Sequence, residues 1–400
     1  MRQEQEQQRI YLDNAATSWP KLDEAVQAAL QFVQRCGAAS GRGVYRSARE
    51  ADHWIAQARL KLAQLIGAPG PESLVMCHSG THALNLALSG LLRPGQRVLT
   101  TATEHNSVLR PLRQLAVHRG LDVQYVPCDS TGRVDIDAVN RLRGTQIDWV
   151  ILSHASNVTG AVQDLKSWTQ FARCCGGRTI VDAAQTLGYL PIDVVADDVD
   201  VLAAPGHKGL RALPGTGFLY LAPDLIPHLT PMMWGGTGEA SQVEDPPLQG
   251  PSAIEVGNLN TMGIVSMAVA ANRILEQGGC QRWHTSFARL ITRLREVPGL
   301  KVIGPTSAIT KHETRRVPVV SISLSGWDAH DVAIALDSHF RIEVRAGFHC
   351  AARIHAFLGS EQGGGTVRLS PSESTSEEEI DRTVEALHEL ASAGVNSAHR

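Results

Sequence analysis

The stretch RTIVDAA, residues 178–184, runs from β-branched apolar residues straight into a carboxylate, Asp182. Nothing in it alternates between wet and dry, so it predicts a strand covered on both faces, as in the parallel sheets of α/β proteins. Five further stretches share this character: SLVMC (73–77), RVLTTA (97–102), VQYVP (123–127), WVILSHAS (149–156) and VDVLAAP (199–205). Between them lie segments such as THALNLALSG and LKSWTQFARCCG, with apolar residues at helical spacing and glycine near the end. Repeated βα units of this kind predict an α/β fold with a mostly parallel sheet. GTGFLYLAP (215–223), bounded by glycine and proline, predicts a strand of a different kind, antiparallel at an edge.

After about residue 265 the pattern changes. A long helix, MAVAANRILEQGG, leads into WHTSFARLITRLREV, then strands KVIG and VPVVSISLSG, a helix AHDVAIALDSHF, one strand IEVRAG and a final helix from STSEEEIDRTVEALHELASA. Ser376 followed by three glutamates is a helix start, with a capping box and acids in the positive first turn. The expected organisation is a large domain over 19–265 and a smaller α/β domain over 266–400. Residues 1–18 cross over to pack with the small domain, and GVNSAHR (394–400) ends the chain as a frayed tail.

A chain of 400 residues with 43% hydrophobic content can bury such a core. Thirty-seven basic against 40 acidic residues leave a formal net charge of -3, which gives no electrostatic reason to expect a nucleic-acid or membrane surface. No apolar run is long enough to span a bilayer, and the polar start MRQEQEQQRI has no signal-peptide core, so the expected location is cytoplasmic. The seven cysteines, at 36, 77, 128, 174, 175, 280 and 350, form neither a disulfide framework nor a zinc pattern.

Ligands of open parallel sheets bind beyond the carboxyl ends of the strands, so the polar residues after each strand are the candidates. Ser79, Gly80 and Thr81 open a helix whose free N–H groups could cradle a phosphate, though such a start is often only a cap. Lys208 stands between His207 and Gly209 at the mouth of a buried strand, where burial would lower its pKa toward Schiff-base chemistry; a solvated loop lysine is the plainer alternative. Asp182 decides between them, because a buried carboxylate needs a cationic or protonated partner and a protonated pyridine nitrogen would supply one. Lysine, aspartate and cradle together point to pyridoxal phosphate.

YLDNAATSWP, TEHNSVLRPL, SHASNVTG, VDAAQ, APGHKGL, GTGFLYL, GNLNT and RAGFHCA occur in this order across nearly the whole chain, which thereby resembles the class V aminotransferase family, and within it the group II, SufS-like cysteine desulfurases. The resemblance implies the fold of type I pyridoxal-phosphate-dependent transferases, with a mostly parallel seven-stranded sheet in the large domain. It also implies a homodimer with active sites near the subunit interface. By the same resemblance Lys208 is the Schiff-base lysine and proton carrier, Asp182 the partner of the pyridine nitrogen, Gln185 a hydrogen-bond partner of the cofactor's phenolic oxygen and His105 the ring stacked upon it. Gly80, Thr81, His82 and His207 fall at the phosphate, Asn258 in a loop that reaches the neighbouring subunit's cofactor, and Asn157 and Arg368 where the substrate carboxylate is received, with Arg345 a further substrate-binding candidate.

Cys350 falls where the family's nucleophile takes sulfur from L-cysteine as a persulfide, leaving alanine, with Arg345 and His349 expected to favour its thiolate. A protein acceptor of that sulfur, as in iron–sulfur cluster assembly, is then implied. His349, Cys350 and His355 lack a fourth ligand of suitable spacing, so no metal is expected. The chain departs from the family at Pro205, where a serine is usual, at Asn258, where threonine is common, and at Ser374 and Thr375. A selenocysteine lyase or another class V enzyme acting on a different amino acid, and a non-enzymatic scaffold, are the alternatives.

Overall fold

A computed structural model describes residues 9–41, 43–134, 136–142, 144–238, 242, 244, 250–278, 283–305 and 316–397. A two-residue strand, β1 (Ile10–Tyr11), precedes helices α1 (Asp23–Arg35) and α2 (Arg46–Leu65). Strands and helices then alternate: β2 (Leu74–Cys77), α3 (Gly80–Leu91), β3 (Arg97–Thr101), α4 (Asn106–Arg119), β4 (Asp122–Val126), the short α5 (Ile136–Val139), β5 (Trp149–Ser153), α6 (Leu165–Cys174), β6 (Arg178–Asp182), β7 (Val201–Pro205) and β8 (Gly217–Leu221). Helices α7 (Thr261–Glu276) and α8 (His284–Leu294) lead to β9 (Leu300–Ile303), β10 (Val320–Leu324), α9 (Ala329–Phe340), β11 (Ile342–Glu343), β12 (Arg345–Gly347), α10 (Ile354–Leu358), β13 (Thr366–Leu369) and α11 (Glu377–Ser397).

Seven strands in the order β2-β8-β7-β6-β5-β3-β4 make the large sheet among the described residues, parallel except where β8 runs against both β2 and β7. Strand alternation sends successive residues to opposite faces, and both faces are covered. On β7, Leu202 and Ala204 join the core under α1, α2, α6 and α7, while Val201 and Ala203 join the core under α3 and α4. β8 is antiparallel as expected but not at the edge. The edge is β2, and its free backbone is covered: Met76 N–H donates to Glu255 Oε1 at 2.6 Å, and Arg59 Nε, from the guanidinium that ion-pairs with Glu255, donates to the Leu74 carbonyl. The other edge, β4, is half-exposed and carries Asp122 and Gln124, which discourage pairing with another chain.

A second sheet, β12-β13-β10-β9, is antiparallel throughout and packs with α8, α9 and α11 around a separate core. IEVRAG is not one strand. β11 pairs in parallel with β1, bringing the N-terminal segment across, while β12 joins the second sheet. A boundary at 265 would fall inside α7, whose Ile264, Met267, Ala268, Ala271 and Ile274 belong to the large-sheet core, because α7 packs along α1 and α2. α11 starts with the expected capping box, Ser376 and Glu379 exchanging backbone and side-chain bonds at 2.7 and 3.1 Å. The helix continues to Ser397, so only the last three residues of the expected tail lie outside the described residues. Among the described residues no helix is long and apolar enough to cross a membrane.

Candidate active site

A cleft with about 530 Å³ of space, its open mouth included, lies at the carboxyl ends of the large-sheet strands, lined by Ser79, Gly80 and Thr81 after β2, His105 and Ser107 after β3, Ser153 at the end of β5 and Asn157 beyond it, Asp182 at the end of β6 and Gln185 beyond it, and Pro205 at the end of β7 with His207 and Lys208 beyond it. The strand register brings these together: Asp182 lies beside Ser153 on one side and Ala203 on the other.

Asp182 is buried, and burial raises its pKa; the Ala184 N–H on Oδ1 at 2.9 Å and the charge of Lys208 act against that rise. Burial likewise lowers Lys208 to about 8, with the attraction of Asp182 opposing and Arg368 and Arg345 adding to the drop. A free-amine fraction therefore exists near neutrality, as an imine-forming lysine needs. His105 caps α4, its Nδ1 accepting from Ser107 N at 3.0 Å, so the ring proton belongs on Nε2. Burial and then the cations Lys208, Arg345, Arg368 and Arg110 hold it near 4, and it is neutral. Gln185 is buried, and its amide donates to the Ala15 carbonyl at 3.0 Å.

At the start of α3 the Ser79 hydroxyl accepts from His82 N, leaving the Gly80 and Thr81 N–H groups without an acceptor among the described residues. A Cβ on Gly80 would meet Pro205 Cδ at 3.1 Å, so this helix start is pressed against the loop that carries His207 and Lys208. The side chain of His82 does not reach the cleft. One helical step beyond Thr81 rotates it away, and its ring stacks on His78 with centroids 4.2 Å apart. Asn258 is exposed and does not reach this cleft either.

Asn157, in the cleft wall, meets Arg368. Arg368 is buried, donates to the Asn157 carbonyl at 3.0 Å and pairs with Asp13 Oδ1 at 2.6 Å, and its Nε–H has no partner among the described residues. Arg345 is its register partner on the next strand. Arg345 Nη2 donates to Cys350 Sγ at 3.3 Å, as expected for a cation beside the thiol. His349 corrects the other half of that expectation. It is buried with Nε2 at 3.0 Å from the Thr366 carbonyl, and burial, aided by Arg368, holds it well below the ordinary histidine range, so it brings no charge to the sulfur.

The reason is the backbone. His349 and Cys350 are both left-handed, φ 48° and 58°, a strained pair of conformations that turns consecutive side chains in different directions. The turn is over-determined: Asn157 Nδ2 donates to the His349 carbonyl at 2.6 Å, and Asn106 N donates to the Cys350 carbonyl at 2.7 Å. Since Asn106 follows His105, the exposed thiol stands at the rim of the cleft.

Sequence reading missed Asp13, Thr17, Lys21 and Glu104. Glu104 is wholly buried behind the cleft, accepting from Thr101 Oγ1, Ser153 N and Ser153 Oγ at 2.6, 3.0 and 2.8 Å, and burial raises its pKa to about 7. Asp13 and Thr17 lie within YLDNAATSWP, Lys21 follows it directly, and Glu104 lies within TEHNSVLRPL.

Parallel sheet, buried carboxylate, lysine and helix-start cradle define a pyridoxal-phosphate enzyme of fold type I. The residues fit the cofactor: free N–H groups at Gly80 and Thr81 for an anion, and an underpaired buried carboxylate for a protonated ring nitrogen. The chain belongs to the aminotransferase class-V family, whose model matches residues 10–383. A probable cysteine desulfurase of Methanothermobacter thermautotrophicus is 32% identical over 392 residues, covering 96% of this chain and 95% of that protein. The apo structure of a cysteine desulfurase from Thermococcus onnurineus superposes with a TM-score of 0.86 at 30% identity, over 96% of this chain and 95% of the other. An Escherichia coli cysteine desulfurase, solved as its S-sulfonic acid, gives 0.81 at 26% identity with the same coverage.

Proposed function

We propose that this protein is a cysteine desulfurase that moves the sulfur of L-cysteine onto Cys350 as a persulfide and releases L-alanine. The observation that carries the reading is the exposed thiol on a strained, doubly anchored turn at the cleft rim, in the reach of Arg345; a transaminase has no use for it.

When bound, pyridoxal phosphate supplies a carbonyl that exchanges amines and a ring that takes up electrons from the substrate Cα. Asp182 holds the ring nitrogen protonated. Gly80 and Thr81 N–H groups, with the α3 dipole behind them, hold the phosphate, joined by His207. Gln185 would hydrogen-bond the cofactor's phenolic oxygen, and the neutral His105 would pack against its ring. Arg368, fixed by Asp13 and the Asn157 carbonyl, would receive the substrate carboxylate. Lys208 in its free-amine form takes the Cα proton and returns a proton to carbon. Cys350 Sγ attacks the substrate sulfur: the S–S bond forms, the C–S bond breaks, and its electron pair stays with the carbon fragment, which is protonated to alanine.

Further parts of the reading concern the setting. A homodimer is supported by the exposed Met232, Met233 and Trp234 and by Asn258, which is exposed and does not line its own cleft, as expected of a residue serving a second subunit. A protein sulfur acceptor, such as one in iron–sulfur cluster assembly, and a cytoplasmic location complete it. Mass spectrometry after brief exposure to L-cysteine tests the core of the reading: a gain of one sulfur atom on the Cys350 peptide is expected, and an unmodified Cys350 in protein that makes alanine would overturn it.

A further inference from the structure

Lys21 is a half-buried cation with no carboxylate partner among the described residues. Its Nζ donates to Thr17 Oγ1 at 2.9 Å, Ser18 Oγ at 3.1 Å and the His207 carbonyl at 2.8 Å. Burial, then the charge of Arg211, lowers it to about 8. None of its three acceptors is charged, and all belong to, or touch, the residue next to Lys208.

The direction of these bonds follows from what each group can do. An ammonium only donates, so Thr17 Oγ1 receives a hydrogen from Lys21 and has one of its own to give. Two acceptors are in reach of that hydrogen, the His207 carbonyl at 3.3 Å and His207 Nδ1 at 3.0 Å. The carbonyl already accepts from Ser18 N, Ser18 Oγ and Lys21 Nζ at 3.1, 3.0 and 2.8 Å, more than its two lone pairs accommodate well. The Thr17 hydrogen therefore goes to Nδ1, which must be the unprotonated nitrogen. The ring proton is then on Nε2, the nitrogen left for the cleft that His207 lines.

We propose that Lys21 and Thr17 are positioning residues that lock His207 in its Nε2–H tautomer, so that a neutral imidazole presents a donor to the cofactor phosphate. This rests on the reading of the cleft as a pyridoxal-phosphate site. The relay has a reason in this chain, because Pro205, two residues before His207 and against Gly80, offers neither an N–H nor a hydroxyl. Burial, Lys208 and Lys21 together hold His207 near 4, consistent with a neutral ring.

The test compares Thr17→Val, Thr17→Ser and Lys21→Met with wild type. Titration with pyridoxal 5'-phosphate, read by the Schiff-base absorbance, is set beside titration with pyridoxal, which lacks the phosphate. Loss of one hydrogen bond to a charged group is expected to weaken pyridoxal phosphate roughly tenfold in Thr17→Val and Lys21→Met, leave pyridoxal within about twofold, and be rescued by Thr17→Ser. Nitrogen-15 spectra of the cofactor-free protein, with the His207 signals assigned by their loss in His207→Gln, should show Nε2–H in wild type and loss of that preference in Thr17→Val.

Equal weakening of both compounds, unchanged affinity, or an Nδ1–H ring in wild type would each overturn the relay. Should Lys21→Met fail to fold, Thr17→Val and the wild-type tautomer still decide. A wild type that forms no Schiff-base band dependent on Lys208 would instead remove the reading of the cleft itself.

Discussion

Asp13 is the residue whose removal should be felt both in the fold and at the substrate. Arg368 is buried and, among the described residues, meets one carboxylate, that of Asp13, while its register neighbour Arg345 is a second cation. Asp13→Ala leaves the guanidinium uncompensated, a change that costs about 3–5 kcal/mol when both partners are buried; with the Asp13 side chain 22% exposed, the lower end, about 3 kcal/mol, is expected. Asp13→Asn keeps an oxygen for Arg368 Nη2 and deletes only the charge, so the loss should be about 1 kcal/mol, the difference between a charge-assisted and a neutral bond. Urea unfolding of the cofactor-free protein measures both, with the order wild type, Asp13→Asn, Asp13→Ala. The KM for L-cysteine should rise in both as Arg368 loses its fixed orientation. An Asp13→Ala protein within about 0.5 kcal/mol of wild type would refute the account of Arg368 as a buried cation held by one counterion.

Glu104 gives a pH signature. Its pKa is raised on folding from 4.5 to about 7, so its contribution to stability is fully present below pH 4.5 and is lost as the pH climbs through 7, about 3 kcal/mol in all. Glu104→Gln, isosteric and uncharged, should flatten that decline in urea midpoints measured from pH 4.5 to 7.5; an unchanged slope would assign it to other groups. Gly209→Ala would place a Cβ 2.0 Å from the Leu187 carbonyl oxygen, backbone that cannot swing aside, so a loss of more than about 3 kcal/mol in thermal or urea unfolding is expected and near-wild-type stability would be a surprise. Arg345→Leu removes the donor at Cys350 Sγ and should slow alkylation of that thiol by iodoacetamide roughly fivefold at neutral pH while leaving the cofactor absorbance intact.

The large sheet was legible because its strands are covered on both faces, which writes itself as unbroken apolar runs; β6 and β7 are the clearest cases. What failed was the choice of edge. Glycine and proline around β8 mark turns, and turns do not say which strand lies outermost. β2 reads as interior because Arg59 and Glu255, distant in sequence, cover its free side. Lys208 and Asp182 stood out as polar groups at the ends of buried strands. Asp13 did not, since its meaning comes from Arg368, 355 positions away. His349 misled for a related reason: adjacency to Cys350 suggested partnership, but two left-handed residues in a row send the imidazole inward to Thr366 and the thiol outward to Arg345. Side-chain direction at such a turn is set by tertiary anchors, here Asn106 and Asn157, that no local pattern displays.

The most direct test of the assignment is alanine formation from L-cysteine under reducing conditions, with wild type beside Cys350→Ala and Lys208→Ala. Wild type should turn over, Cys350→Ala should keep the cofactor colour and lose turnover, and Lys208→Ala should lose both. If Cys350→Ala makes alanine as fast as wild type, the thiol at the rim is not the sulfur acceptor and the desulfurase mechanism built on it is wrong.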